Sequence, residues 1–362
     1  MLRLVRQLSA AGWDCHVALP APSPMADELR SAGACLHVVP MRRLSTSHGA
    51  AEWAAYLVNW PLSVLRLWLL ARRLGATVVH TNSLHSWYGW AAAALARRPH
   101  VWHAREVVTQ SRLALQVERL LTRHFATQVL AVSGAVAAQL PGGNVQVVTE
   151  EADPSEFWPG RAGRARARYG LADDVLVAGY VGRVDTWKGV DVLLDAVPHL
   201  GPAQVVVAGG PVAGKEAYYS SMAERARSLG VHWLGPLPGP LAADLIADLD
   251  CLVYPSTTPE PFGLALVEAL ACGVPVVSTD AGGPREVMAG LAPEAGRLVP
   301  PGDAAALASA VLALLNLRPG TTSTSRRQAR PVLRGGAPPP YPGIFAEVAS
   351  RGRRRPGRHM SG

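Results

Sequence analysis

The sequence predicts an α/β protein made of two Rossmann-like, doubly wound parallel-sheet domains that face each other across a cleft. Three observations lead there. Short β-branched runs alternate with Ala/Leu-rich helical stretches through the first 316 residues, the pattern of repeated βα units. That pattern breaks once into a polar, Pro/Gly-bearing connection, "TEEADPSEFWPGRAGRARARYGL" from Thr149, which reads as an inter-domain linker. Several strand candidates end in polar residues, among them His80, Asn82, His103, Arg105 and Ser133. The carboxyl ends of strands are where open α/β sheets meet ligands. The plainer alternative is that such residues only begin surface loops.

In the first half the strand candidates are "DCHVALP", "CLHVVP", "ATVVHTN", "HVWHARE" and "TQVLAVS". Between them run "AYLVNWPLSVLRLWLLARRL" and "GWAAAALARR", which are helical by composition. In the second half strands "VLVAGYVGR", "AQVVVAGG", "VHWLG", "CLVYPS" and "PVVST" alternate with helices such as "GVDVLLDAVPHL", "LAADLIADL" and "GLALVEALACG". The expected domains are 1–157, 158–316 and a basic Pro/Gly/Arg-rich tail, 317–362.

Composition narrows the classes. The chain has 362 residues, 49% hydrophobic and 17% charged, enough for a packed core in each of two domains. The net charge of +8 suggests nucleic acid until it is located. Ten arginines and one acid, Glu347, lie beyond Asn316, so residues 1–316 carry about −1. The folded part is not basic, no aromatic-basic interleaving marks it, and nucleic acid is excluded as a partner. Four scattered cysteines, Cys15, Cys35, Cys251 and Cys272, read as reduced core thiols of a cytoplasmic protein. No signal peptide opens the sequence and no uncharged apolar run is long enough to span a bilayer. The most apolar stretch, from Ala54, contains Asn59, Pro61 and Arg66 and reads as a core-packed helix, with a helix resting on a membrane surface as the alternative.

Only two of the 35 basic residues are lysines, Lys188 and Lys215. "YVGRVDTWKGVDVLLDA" sets Gly182 and Arg183 at a strand end and Lys188 at a helix start, an arrangement suited to an anion. Solvated loop cations are the bland alternative. Downstream, "PEPFGLALVEALACGVPVV" places Glu260 in a loop stiffened by Pro259 and Pro261. Gly263 and Leu264 then open a helix whose first amides suit a phosphate. Glu268, one turn on among Leu266, Val267, Ala269 and Leu270, needs hydrogen-bond donors if buried, and a ribose diol supplies two. Together these residues describe a nucleotide site in which Glu268 grips the ribose and Glu260 meets a sugar beyond the diphosphate.

These residues carry a resemblance. "GRVDTWKG", "VVVAGGP", "YPSTTPEPFGLALVEALACGVPVVSTDAGGPREV" and "GRLVPPGD" resemble the family-four retaining glycosyltransferases of the GT-B fold, with their E-x7-E motif, and the likeness covers nearly all of residues 1–315. It implies transfer of a hexosyl unit from a nucleotide sugar, such as a UDP- or GDP-sugar, to a hydroxyl of a glycan, a lipid-linked acceptor or a small molecule. Arg183 and Lys188 would bind the donor diphosphate and Glu268 the ribose. Glu260 and the backbone at Phe262, Gly263 and Leu264 would hold sugar and phosphate. His103 of "HVWHARE" would line the sugar pocket, and Gly182 would sit beside the phosphates. The turn Gly282-Gly283 is expected to be structural. The resemblance implies no metal or other cofactor.

Two departures from the family pattern set further expectations. The chain opens at "MLRLVRQLSAAGWDCHVALP", which matches the helix after the family's first strand and Gly-Gly loop, so that strand is expected to be missing. The missing strand favours a non-catalytic nucleotide-binding remnant as one alternative to a transferase; a GT-B sugar-nucleotide epimerase is the other, and the E-x7-E spacing argues against it. Beyond Arg318 the apolar periodicity stops, which predicts disorder. Such a tail is either a basic segment in peripheral contact with anionic membrane at the inner face of the cell, or the product of a reading-frame shift near codon 316, the reading that the Arg/Pro/Gly/Ser texture favours.

Overall fold

The computed structural model describes residues 1–23, 25–42, 49–140, 142–316 and 341–353. The chain separates into two compact units, one of Met1–Thr149 with Ala337–Gly362, the other of Glu150–Gly336.

The amino-terminal unit runs α1 (Leu2–Ala10), β1 (Cys15–Leu19), α2 (Ala26–Ser31), β2 (Ala34–Val38), α3 (Ala50–Arg73), β3 (Val79–Thr81), α4 (Tyr88–Ala96), β4 (His100–Ala104), α5 (Arg112–Phe125), β5 (Gln128–Ala131), α6 (Gly134–Ala137) and β6 (Val145–Val147). All its strand pairs are parallel, in a two-stranded ladder β1-β2 and a four-stranded ladder β3-β4-β5-β6. Among the described residues no ladder bond joins the two. β4 and β5 are buried along their whole length, as central parallel strands covered on both faces must be.

The second unit contains α7 (Arg166–Tyr169), β7 (Val177–Val181), α8 (Val190–Ala196), β8 (Gln204–Ala208), α9 (Glu216–Ser228), β9 (His232–Gly235), α10 (Gly239–Asp248), β10 (Cys251–Tyr254), α11 (Leu264–Cys272), β11 (Val276–Thr279), α12 (Pro284–Met288), β12 (Gly296–Val299) and α13 (Ala304–Leu315). Its six parallel strands lie in the order β12-β11-β10-β7-β8-β9. The strand order reverses between β7 and β10, which makes the loops after those two strands the walls of a ligand crevice. β10 and β11 are buried throughout and are flanked by an apolar cluster that includes Tyr180, Leu193, Val207, Val253 and Val311.

Two expectations from the sequence are corrected here. The boundary falls at Thr149, earlier than residue 157, because the connection belongs to the second unit. Its Arg161 pairs with Asp244 at 2.7 Å and donates to the carbonyls of Glu156 and Pro240 at 3.0 and 3.1 Å. The tail is not disordered throughout. Tyr341–Arg353 forms a helix, α14, that joins the amino-terminal unit. Tyr341, Ile344, Phe345 and Val348 recur at helical spacing and are buried with Leu4, Leu8, Val17 and Val101. Phe345 meets the Trp13 ring edge-on at 6.1 Å. Averaged over the 46 residues of the basic tail, this short apolar stripe vanished into the composition. Residues 317–340 and 354–362 lie outside the described part. Of the cysteines, Cys15, Cys251 and Cys272 are buried thiols as expected, whereas Cys35 on the outermost strand β2 is exposed.

Candidate active site

The crevice of the second unit is built from the loop after β7, the loop after β10 and the start of α11. β7 delivers Gly182 and Arg183 at its carboxyl end, where the Gly182 amide donates to the Ala208 carbonyl at 3.0 Å. The Arg183 side chain is exposed and has no ion-pair partner among the described residues. The same loop turns back through Asp185, Thr186 and Trp187 to Lys188. Asp185 accepts hydrogen bonds from the Thr186 amide at 2.7 Å and the Trp187 indole at 2.9 Å, and it pairs with Lys215 at the head of α9. Burial pushes the Asp185 carboxyl up, but Lys215 and these donors together hold it below its ordinary value.

Lys188 and Glu260 form a buried ion pair. Lys188 is 8% exposed and Glu260 3%. The ammonium also donates to the Tyr254 hydroxyl at 2.9 Å and lies over the rings of Trp187 and Tyr254, at 4.3 and 4.9 Å from their centroids. Ser256 donates to the same Glu260 oxygen at 2.6 Å. Burial lowers the Lys188 pKa, and the nearby Arg183 charge adds to this, against the opposite pull of Glu260. Burial and the Glu260 charge push the Tyr254 phenol well up, so it remains protonated. The pair is thus a charged centre in low dielectric, held by two neutral hydroxyls and two aromatic faces.

The Glu260 backbone is fixed as well. It bridges to Gly282, and the Gly283 amide donates to the Glu260 carbonyl at 2.8 Å. A Cβ at Gly282 would sit 2.3 Å from that carbonyl oxygen, and one at Gly283 2.5 Å from the Phe262 Cα. The Gly-Gly turn is therefore the packing surface for the Glu260 loop, the structural part expected of it. Gly263 takes φ +98° to turn the chain from that loop into α11, a conformation only glycine adopts cheaply. Phe262 is buried beneath the turn, and Leu264, half exposed, is the first residue of the helix. The first amides of α11 have no carbonyl one turn behind them inside the helix, and of these the Leu266 amide is taken by the Gly263 carbonyl at 3.0 Å.

Glu268, one turn into α11, is half-buried. No described side chain donates to its carboxylate. Burial raises its pKa to about 7, with the charges of Glu156 and Glu150 adding to the effect. A carboxylate in this state gains from any ligand that brings hydroxyl donors.

His103 belongs to the other unit, on β4. It is 1% exposed, neither ring nitrogen has a hydrogen-bond partner, and its ring lies 5.7 Å from His80 and 6.0 Å from Tyr341 of α14. Burial drives its pKa far down, with the His80 and Arg105 charges adding to the shift, so the imidazole is neutral. The second unit thus gathers Gly182, Arg183, Lys188, Glu260, Phe262, Gly263, Leu264 and Glu268, while His103 stands in a separate hydrophobic setting. Lys188 and Glu260, assigned from the sequence to different parts of a ligand, pair with each other. Sequence reasoning missed Tyr254, Ser256, Trp187 and Asp185, whose positions at strand and loop ends carry no distinctive pattern. Lys215 was signalled by the rarity of lysine but had no assigned role.

Comparison with known proteins accounts for this architecture. Residues 176–317 match the family described as glycosyl transferases group 1, and residues 1–148 match the glycosyl transferase 4-like domain. The chain belongs to the family-four, GT-B glycosyltransferases. Relatives include the D-inositol 3-phosphate glycosyltransferases of Actinosynnema mirum, 31% identical over 69% of this chain and 61% of that one, and of Mycolicibacterium gilvum, 31% identical over 69% and 56%. The chain spans about half the length of the curated relatives it matches. Among solved structures, Anabaena HepE in complex with UDP-glucose superposes with TM-score 0.79 at 23% identity, over 97% of this chain and 95% of that one. Sucrose-phosphate synthase of Thermosynechococcus elongatus gives 0.75 at 23%, over 97% and 91%. These likenesses establish the GT-B fold.

Proposed function

We propose that this glycosyltransferase moves a hexosyl unit from a nucleotide diphosphate sugar to an acceptor hydroxyl with retention of configuration. The observation that carries the reading is the clustering, at the β7/β10 switch point, of Arg183, Lys188 and the amino end of α11 with the carboxylates Glu260 and Glu268. Glu268 would accept from the ribose hydroxyls, and the α11 amides and the exposed Arg183 would hold the diphosphate. When the anomeric C–O bond breaks, its electron pair goes to the diphosphate, where Arg183 and Lys188 offset the new charge. The acceptor hydroxyl attacks from the same face and its proton passes to the departing phosphate oxygen, so no protein nucleophile is needed. Glu260, already anchored by Ser256, can accept from a sugar hydroxyl once Lys188 turns toward phosphate. His103 is assigned to the sugar side, which requires that its ring become accessible from the Tyr341 side. UDP-glucose is the donor that the Anabaena relative's complex suggests. A glycan, a lipid-linked sugar or a small molecule in the cytoplasm, free or at the inner membrane face, is the acceptor.

The test is a panel of UDP- and GDP-sugars scored by the melting shift of the whole chain, since a ligand that binds only the folded state raises its stability. NMR of the anomeric centre of any product follows. One nucleotide sugar that shifts melting and yields an anomer of unchanged configuration is the expected result. Absence of a shift with every nucleotide tried, or an inverted product, would overturn the reading.

A further inference from the structure

β1 reads Cys15-His16-Val17-Ala18-Leu19 and β2 Ala34-Cys35-Leu36-His37-Val38, and successive side chains of a strand point to opposite faces. Cys15, Val17 and Ala34 are buried in the core of the amino-terminal unit, and Leu36 packs against it. His16, Ala18, Cys35 and His37 therefore share the other face. The ladder is parallel, with His16 opposite Cys35 and Ala18 opposite His37, so its register places the two histidines on adjacent strands one pleat apart.

The two rings meet there. His16 Nδ1 stands 3.0 Å from His37 Nε2, a half-buried contact between residues 21 positions apart. The ring centroids are 5.2 Å apart with the planes tilted by 34°, so the contact runs through the nitrogens. At this separation one of the two nitrogens carries the proton and the other presents a lone pair. The Asp14 carboxylate lies 3.3 Å from the opposite nitrogen of His16, Nε2. Its charge favours the proton at Nε2 and leaves Nδ1 bare. A carboxylate behind one ring nitrogen, with the other bare, is the arrangement that orients a metal-bound histidine.

The distance selects the ion. Two nitrogens bound at about 2.0–2.1 Å lie about 2.9 Å apart as neighbours in a square or octahedral shell, and about 3.4 Å apart in a tetrahedral one. The observed 3.0 Å is nearer the first. Nitrogen ligands completed by oxygen in such a shell suit nickel(II) or copper(II). Among the described residues no group of three His, Cys, Asp or Glu side chains could hold a metal ion, so the remaining positions fall to water. The His16 side chain is 23% exposed, which gives a hydrated ion a way in. Asp14 attracts a cation to the site, whereas the charge of Arg73 reaches His37 and opposes one, so the affinity is modest.

We propose that His16 and His37 form a two-histidine clip for a divalent ion of the nickel and copper class, with Asp14 holding the His16 ring. On binding, the proton between the rings passes through solvent to His37 Nδ1. The ion then bonds to His16 Nδ1 and His37 Nε2 and sheds two of its waters. It ties β1 to β2, the ladder that among the described residues shares no strand pairing with β3–β6. The clip belongs to the amino-terminal unit and uses none of the crevice residues, so it holds or fails independently of the transferase reading.

The test is titration of the whole chain with nickel chloride, followed by calorimetry and by proton NMR of the histidine rings. A saturable site, a rise in melting and paramagnetic broadening of the His16 and His37 ring signals ahead of every other histidine are expected. His16→Asn and His37→Asn should each weaken binding by about tenfold or more, and Asp14→Asn, an exposed change outside the ligand set, by about tenfold. Cys35→Ser should leave binding as it is. Melting curves without metal verify that each variant folds. Four results would each overturn the proposal: no saturable binding by the unaltered chain, binding unchanged in both histidine variants, binding lost in Cys35→Ser, or broadening that begins at another histidine.

Discussion

Glu260→Gln tests the central pair most directly. The substitution keeps shape and leaves an amide oxygen for Ser256, but it removes the charge that faces the buried Lys188. Stripping one partner from a buried ion pair costs about 3–5 kcal/mol. The retained acceptor offsets about 1–1.5 kcal/mol of that. The expected net loss is about 2–3 kcal/mol, or a fall of about 4–12 °C in the melting of a unit this size. Lys188→Met alone should be similarly harmful, because it strands Glu260. The double variant should recover about 1–3 kcal/mol relative to the sum of the singles. A nucleoside diphosphate, if it draws Lys188 to phosphate, should stabilise Glu260→Gln at least as much as the unaltered chain, while sugar transfer falls about a hundredfold. The measurement is calorimetry of the four chains with and without UDP, with transfer assayed in parallel. Strictly additive melting shifts would refute the coupling, and equal loss of UDP binding in Glu260→Gln and Glu268→Ala would refute the division of labour between the glutamates.

Further outcomes follow from the same structure. The raised Glu268 pKa means the folded second unit holds a proton that the unfolded chain releases, so this group's stabilisation is full below about 4.5 and is lost as pH rises to about 7. Glu268→Gln should flatten that slope in a melting series, whereas a nucleotide bound through the ionised carboxylate should bind more tightly above pH 7 than at pH 6. In the amino-terminal unit burial holds His80 and His100 to about 3, with the His100 charge adding at His80, so the sign reverses. Each contributes stability that is present above pH 6.5 and lost at about 1.4 kcal/mol per unit as pH falls toward 3; a first unfolding transition that did not move between pH 6.5 and 5 would contradict their burial. Lys215→Ala unpins the Asp185 loop and should weaken nucleotide binding about threefold to tenfold with little change in melting, and Lys215→Arg should restore most of it. Phe345→Ala should cost the amino-terminal unit about 3–4 kcal/mol and leave nucleotide affinity untouched, which isothermal titration alongside calorimetry would check.

The sequence alone determined the fold class. Parallel βα units write themselves as alternating β-branched and Ala/Leu runs, and glycine with polar residues marks their turns, so the placement of Gly182 and Arg183 after β7, of Lys188 just before α8, and of Gly263 and Glu268 at the start of and within α11 was legible. What depended on contacts between distant segments was not. The Lys188–Glu260 pair joins residues 72 positions apart, and neither a carboxylate nor an amine announces its partner in a linear pattern. The docking of α14 onto the amino-terminal unit likewise rests on four apolar residues in a basic, Pro-rich stretch, whose burial partners Leu4, Val17 and Val101 lie at the other end of the chain. Burial decided the rest. It set the neutral His80 and His103 and the raised Glu268, because desolvation depends on what covers a residue rather than on its sequence neighbours.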